Sequence, residues 1–376
     1  MIKDLLLFLL GALKPSRKTL MLGLLFAVGV CGLFYLFNML NAPEEILFTE
    51  APEGELNYGL EEELDPGTLT EYYSALTGNL YFNITSLDTY NKITGINVHK
   101  HNLNTSKTVP MIAEGAQFNL RPVSATSVTL VSPLLNADGS VTPTPVVLDT
   151  VTLNYKDVVL LDGYITRDVL FSPDERYLAV SFVDEQDREV FKNWRIVVFD
   201  TTTDTSILIP GAKSPRWLSD NTGFVFLQED GVYQYVTEVN GAHVVYAEYQ
   251  FMHTTAEIAL SPDDTRIVLT QPLFDSISVL EATSTQQTAF HETGRIQTKG
   301  QHYTTPVFSP DGNFYATVAS NNFDYDSQEN LYEANTIEIR RVLHRNVIEV
   351  ISLLDYKKGV LQLSDWSTID ATTVGR

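Results

Sequence analysis

The chain has 376 residues, 44% of them apolar, so it can bury the core of one large domain or two ordinary ones. Its 47 acidic residues outnumber 25 basic ones, and the net charge of −22 argues against nucleic acid and anionic lipid surfaces as partners. A single cysteine, Cys31, rules out an intramolecular disulfide.

The N-terminal part divides by charge and hydropathy. Residues 1–18 read as a short cytoplasmic tail, with Lys3, Lys14, Arg17 and Lys18 set against Asp4. The next 22 residues, 19–40, carry no charge. As a helix they would span about 33 Å, enough to cross a hydrocarbon layer of roughly 30 Å. Basic residues precede this stretch, while Glu44, Glu45 and Glu50 follow it, which predicts an N-terminus inside and the bulk of the chain outside. The length of the apolar run and the lack of an A-x-A-like site favour an uncleaved anchor over a signal peptide. Val30 before Cys31 departs from a lipoprotein signal. Leu5 to Leu13 is apolar but too short to span, and suits a short interfacial helix or an extension of the signal region.

Residues 41–78 read as an acidic stalk. From 42 to 78 there are ten acidic residues and no Lys or Arg, and Pro43, Pro52 and Pro66 interrupt any periodicity. Leu69, Tyr72, Tyr73 and Leu76 fall at helical spacing and predict one helical turn.

From residue 79 the pattern changes to short strands and turn signals. Four segments align on Ser172-Pro173-Asp174, Ser219-Asp220-Asn221, Ser261-Pro262-Asp263 and Ser309-Pro310-Asp311. Their serines lie 47, 42 and 48 residues apart. In each, an apolar residue ends a strand, Pro presets φ where present, and Asp can bond the backbone two residues on. An alternating strand such as Tyr177-Leu178-Ala179-Val180 follows. A period near 45 residues is that of four-stranded propeller blades. Weaker copies are placed at Leu120-Arg121-Pro122 and at Trp366, which matches Trp217 before its turn. The expected fold is all-β: a propeller over 79–376 of about six four-stranded blades, with seven as the alternative, preceded by one transmembrane helix. The segment 359–376 is expected to pair with the first blade and close the ring.

The S-P-D turns resemble the WD40-like (PD40) repeat of TolB-type propellers, with the strong matches over roughly 165–320. That resemblance implies a periplasmic scaffold that binds envelope partners. This chain departs from it in having an anchor and no evident counterpart of the TolB N-terminal domain. The order of tail, anchor and propeller is also that of membrane-anchored dipeptidyl-peptidase-like proteins. No G-x-S-x-G nucleophile elbow occurs, so no catalytic residue is expected from that likeness.

Metal signals are weak. His99 and His101 share a strand face and could hold a metal, against the plainer reading of an exposed polar face. Asp324 and Asp326 have part of a calcium-loop spacing. Glu329 replaces the required glycine and Asn335 stands where a bidentate Glu belongs, so no cofactor is expected and Ca2+ is the minor alternative. Asn83-Ile84-Thr85 and Asn104-Thr105-Ser106 are glycosylation sequons. The expectation for function is a protein- or peptide-binding module of the cell envelope, held to the membrane by 19–40. The alternatives are a lactonase- or lyase-like propeller enzyme with its site at the channel, or an envelope sensor.

Overall fold

The computed structural model describes residues 75–87, 93–111, 118–135, 141–149, 155–157, 164–184, 190–203, 205–237, 240–247, 254–283, 289–297, 301–320, 335–342, 347–352 and 359–371. The predicted tail, the membrane helix and residues 41–74 of the predicted stalk lie outside them, as do Asp324 and Asp326; the last stalk residues are described, and Leu76 is buried in the core. Among the described residues no helix is long and apolar enough to cross a membrane.

The chain is built of strands. β1 (Asn79–Leu87), β2 (Ile93–Asn102) and β3 (Lys107–Pro110) come first, then β4 (Phe118–Ser124), β5 (Ser127–Leu135), β6 (Val141–Asp149) and β7 (Tyr155–Asp157). The next group is β8 (Tyr164–Phe171), β9 (Tyr177–Asp184), β10 (Arg195–Asp200) and β11 (Thr205–Pro210), followed by β12 (Lys213–Trp217), β13 (Gly223–Gln228), β14 (Gly231–Val236) and β15 (Gly241–Ala247). The last strands are β16 (Glu257–Leu260), β17 (Arg266–Gln271), β18 (Ser276–Ala282), β19 (Phe290–Gln297), β20 (His302–Phe308), β21 (Phe314–Ser320), β22 (Asn335–Arg341), β23 (Val347–Ser352) and β24 (Gly359–Ser367).

Hydrogen bonding sorts them into six four-stranded sheets. Five are consecutive meanders, and the sixth is ordered β24-β1-β2-β3. All pairings are antiparallel. The first strand of each sheet, counting β24 for the sheet of β1, neighbours the first strand of the next, and β24 neighbours β4. This closed circuit of inner strands makes the fold a β-propeller, and the C-terminal strand closes it on the first blade.

Apolar side chains fill the spaces between facing sheets. Phe224 and Phe226 of β13 pack with Ala179, Ile196 and Val198 of the preceding sheet, while Val225 and Leu227 pack with Ile258, Ile267 and Leu269 of the following one. The middle strands are therefore buried on both faces. The sequence pattern suggests apolar/polar alternation there; the structure shows continuous burial, as over Leu178–Val183, because each sheet has a neighbour on either side. Alternation appears on outer strands, such as β19.

Three of the four repeated turns share one hydrogen-bond pattern. Ser172 Oγ donates to Asp174 (2.6 Å) and accepts from the Tyr177 amide (2.9 Å); Ser261 does the same with Asp263 and the Arg266 amide, and Ser309 with Asp311 and the Phe314 amide. One residue in each turn is left-handed: Glu175, Asp264 and Gly312, each fourth from the serine, have φ of 59°, 59° and 72°, and Asn221, fourth from Leu218, has 63°. Turns also join neighbouring blades. The Asp264 carboxylate accepts from the Ser219 amide and hydroxyl at 2.8 and 2.7 Å, and Asn221 Oδ1 accepts from the Asp174 amide at 3.0 Å.

Ser261 is buried, so removing its hydroxyl strands the Arg266 amide and leaves Asp263 with the Thr265 amide. Ser261→Ala is expected to cost about 1–3 kcal/mol in a denaturant titration. A loss below about 0.3 kcal/mol would show that the serine is incidental to the turn.

Candidate functional site

The inner strands carry charge where a strand core would ordinarily be apolar. Arg121 comes from β4, Arg167 and Asp168 from β8, Lys213 and Arg216 from β12, Glu257 from β16, and Asp365 from β24. Five of the six inner strands are bulged at this level. The pairing register slips between Phe118 and Arg121, Thr166 and Asp168, Lys213 and Arg216, and Thr304 and Val307; on β24, Ser364 is the extra residue between Leu363 and Asp365. Ser214 and Thr305 sit in these bulges with φ of 54° and 47°. A bulge re-aims side chains that regular pleating would send alternately to either face.

The charges form a connected lattice. Asp168 Oδ1 accepts from Arg216 Nη1 at 3.1 Å and lies 3.7 Å from Arg121 Nη2, while Oδ2 accepts from Ser181 Oγ at 2.7 Å. Arg167 reaches from β8 to pair with Glu257 on β16. The second oxygen of Glu257 accepts from the Thr305 amide at 2.6 Å, and Thr305 Oγ1 accepts from the Leu363 amide at 3.1 Å. Contacts thus run from β4 through β8 to β12, and from β8 through β16 and β20 to β24. The space at this level is about 20 Å³, which holds no substrate.

Burial and neighbours set the ionisation. Burial opposes ionised Asp168, but Arg216, Arg121 and the Ser181 hydroxyl hold its carboxyl below the usual range. Burial pushes Asp365 up, with Arg121 partly offsetting it. Arg121 is pushed down to about 10 by burial and by Arg216. Lys213 has no exposed surface, donates to the Thr254 carbonyl at 2.5 Å and lies 4.9 Å from the Trp194 ring centre. Its burial, aided by Arg167, pushes it down to about 7.

Toward the turn-bearing end lies a larger cavity of about 240 Å³ between β4–β5 and β8. Arg121 and Asp365 line it together with Val123, Val169, Phe171 and Pro173.

The residues singled out by sequence fall elsewhere. Ser172, Pro173 and Asp174, Ser219 and Asp220, Ser261, Pro262 and Asp263, and Ser309, Pro310 and Asp311 form the turns. His99 and His101 do share a face of β2, but that face is buried rather than exposed (4% and 5%). His99 stacks on Phe82 at 5.6 Å, and His101 Nδ1 bonds Thr108 Oγ1 at 2.8 Å. Burial lowers the pKa of both. No group of three His, Cys, Asp or Glu side chains is placed to hold a metal among the described residues. Asn83 is buried in β1, with Nδ2 donating to Gln362; Asn104 is exposed in the β2–β3 turn.

The aligned repeats held a signal for the channel. Asp168, Glu257 and Thr305 each stand four residues before the turn serine, and Arg216 three before. A polar column inside a repeated apolar strand marks the inner surface.

No family model matches the sequence, and no curated protein matches it. Solved structures similar in fold include one assigned as a TolB from Agrobacterium tumefaciens, at 12% identity and TM-score 0.49, covering 77% of this chain and 99% of that one. A protein from Lactobacillus plantarum has 12% identity and TM-score 0.46, covering 76% and 99%. One assigned as a 6-phosphogluconolactonase from Bacteroides uniformis has 14% identity and TM-score 0.46, covering 76% and 99%. These likenesses are to the propeller fold.

The Lys213 shift has a defined sign. Its folded pKa, about 7, is below the unfolded value near 10.4, so between these values the unfolded chain binds more protons and stability rises with pH. From pH 7 to 9 the protein is expected to gain about 1 kcal/mol per pH unit relative to Lys213→Met, measured by denaturant titration. Parallel curves for the two would show that Lys213 keeps its ordinary pKa.

Proposed function

We propose that this protein is a membrane-anchored six-bladed propeller that serves as a binding or scaffolding module outside the membrane. Residues 1–18 remain inside, 19–40 form the anchor and 41–78 the stalk. The membrane reading rests on the uncharged 22-residue stretch and the charges that flank it.

The binding reading rests on the occupied state of the channel carboxylates. Asp168 is held by Arg216, Arg121 and Ser181, and Glu257 by Arg167 and the Thr305 amide. A general base needs a lone pair within reach of substrate, and these oxygens are engaged with the fold. A fixed polar lattice suits recognition, because its groups are already oriented. At the turn-bearing end Asp174, Glu175, Asp220, Asp263 and Asp311 are exposed, which favours a partner with a basic patch. A propeller enzyme is the second reading, favoured by the cavity shared by Arg121 and Asp365.

The test uses the full chain in its own membrane, with a photo-crosslinking residue at Glu175 on the rim or at Leu208 on an outer strand. The rim probe is expected to yield one discrete crosslinked polypeptide, and the Leu208 probe none. No rim adduct, or the same adducts from both positions, would overturn the binding reading. Protease added outside intact cells or spheroplasts is expected to digest the domain; full protection would overturn the orientation.

A further inference from the structure

The lattice leaves one guanidinium poorly matched. Three guanidiniums, Arg121, Arg167 and Arg216, meet three carboxylates, Asp168, Glu257 and Asp365, while the Lys213 amine donates to the Thr254 carbonyl. Arg167 has Glu257, and Arg216 has the closer claim on Asp168. Arg121 lies 3.7 Å from the same Asp168 oxygen and in the field of Asp365, and its Nε is buried with no hydrogen-bond partner among the described residues. A buried charged donor without an acceptor is expensive, so an anion that satisfies it binds with that cost recovered.

The surroundings restrict what such an anion can be. Arg121 lines the cavity of about 240 Å³, and the Asp365 carboxyl lines the same cavity. A simple anion would meet repulsion from Asp365 whenever that group is ionised. A ligand that also carries an ammonium or another strong donor would satisfy both. Val123, Val169, Phe171 and Pro173 give one part of the wall an apolar surface beside the polar Thr129, Ser172 and Glu175, so a ligand with an apolar group on that side fits. The volume suits a molecule of roughly a dozen heavy atoms and excludes a folded partner.

We propose that the cavity between β4–β5 and β8 binds a small amphoteric carboxylate, of the class of an apolar α-amino acid, with its carboxylate on Arg121 and its ammonium on Asp365. This deepens the binding reading by adding a small-molecule site beside the surface that receives the protein partner. Occupancy would neutralise Arg121 and favour the ionised form of Asp365, so binding releases a proton from whatever fraction of Asp365 is protonated beforehand.

Calorimetric titration of the detergent-solubilised full chain tests this with L-phenylalanine, 3-phenylpropionate and 2-phenylethylamine. L-phenylalanine is expected to bind at submillimolar concentration. 3-Phenylpropionate, which lacks the ammonium, should bind at least tenfold more weakly, and 2-phenylethylamine, which lacks the carboxylate, should not bind measurably. Arg121→Met should abolish binding. Because Arg121 also supports Asp168, Asp365→Asn provides a second variant that keeps the side-chain shape: it should remove the preference for L-phenylalanine over 3-phenylpropionate. No binding of L-phenylalanine to the unmodified protein up to 10 mM, or equal binding of all three compounds, overturns the proposal. If rim crosslinks persist while L-phenylalanine fails to bind, the amino-acid site falls and the binding module stands.

Discussion

β24 reaches back across the whole chain to pair with β1, and Asn83 Nδ2 donates to Gln362 at 3.1 Å across 279 positions of sequence. Every other sheet is a local meander whose strands follow one another directly. Without this pairing the sheets would form an open stack with two unpaired ends, and nothing would hold six inner strands around one axis. Closure also unites the cores of the end sheets: Leu80, Phe82, Leu361 and Leu363 pack with Phe314, Val318 and Ile337. The residues after β24 reinforce it. Tyr81 donates to the Ile369 carbonyl at 2.7 Å and Lys100 to the Ala371 carbonyl at 2.9 Å.

Once the ring is closed, its axis becomes a region of low dielectric lined by backbone edges and whatever side chains the inner strands present. Burying single charges there would be costly, and removing one partner of a buried pair typically costs about 3–5 kcal/mol. The protein meets that constraint by placing opposite charges on different strands and satisfying their oxygens with backbone amides and Ser181. The bulges supply the geometry, since an extra residue in five inner strands turns the charged groups inward. Two bulge residues, Ser214 and Thr305, adopt left-handed backbone at a cost of order 1–2 kcal/mol each, which the surrounding sheet must offset.

Much of the architecture was legible in the chain because turn chemistry repeats. Ser, Pro and Asp act locally, through bonds that span at most five residues, so four aligned turns give both the period and the strand starts. The channel was harder to see. Asp168 and Glu257 look like isolated charges until the repeats are stacked, and their partners Arg216 and Arg167 come from other blades. The pairing of Arg167 with Glu257 spans 90 residues and follows from the ring, not from any local pattern. His99 and His101 show the opposite failing: a shared strand face was readable, but whether it meets water depends on the sheet packed against it.

Amide hydrogen exchange, followed by mass spectrometry on the intact protein, tests the closed ring most directly. If β24 completes the first blade, peptides covering 359–367 and 79–87 exchange together and as slowly as β13, because they open only when the whole ring does. Exchange of 359–367 at least tenfold faster than β13, with 79–87 still protected, would show that the C-terminal strand is a detachable edge, and would contradict the account of fold and channel built on its closure.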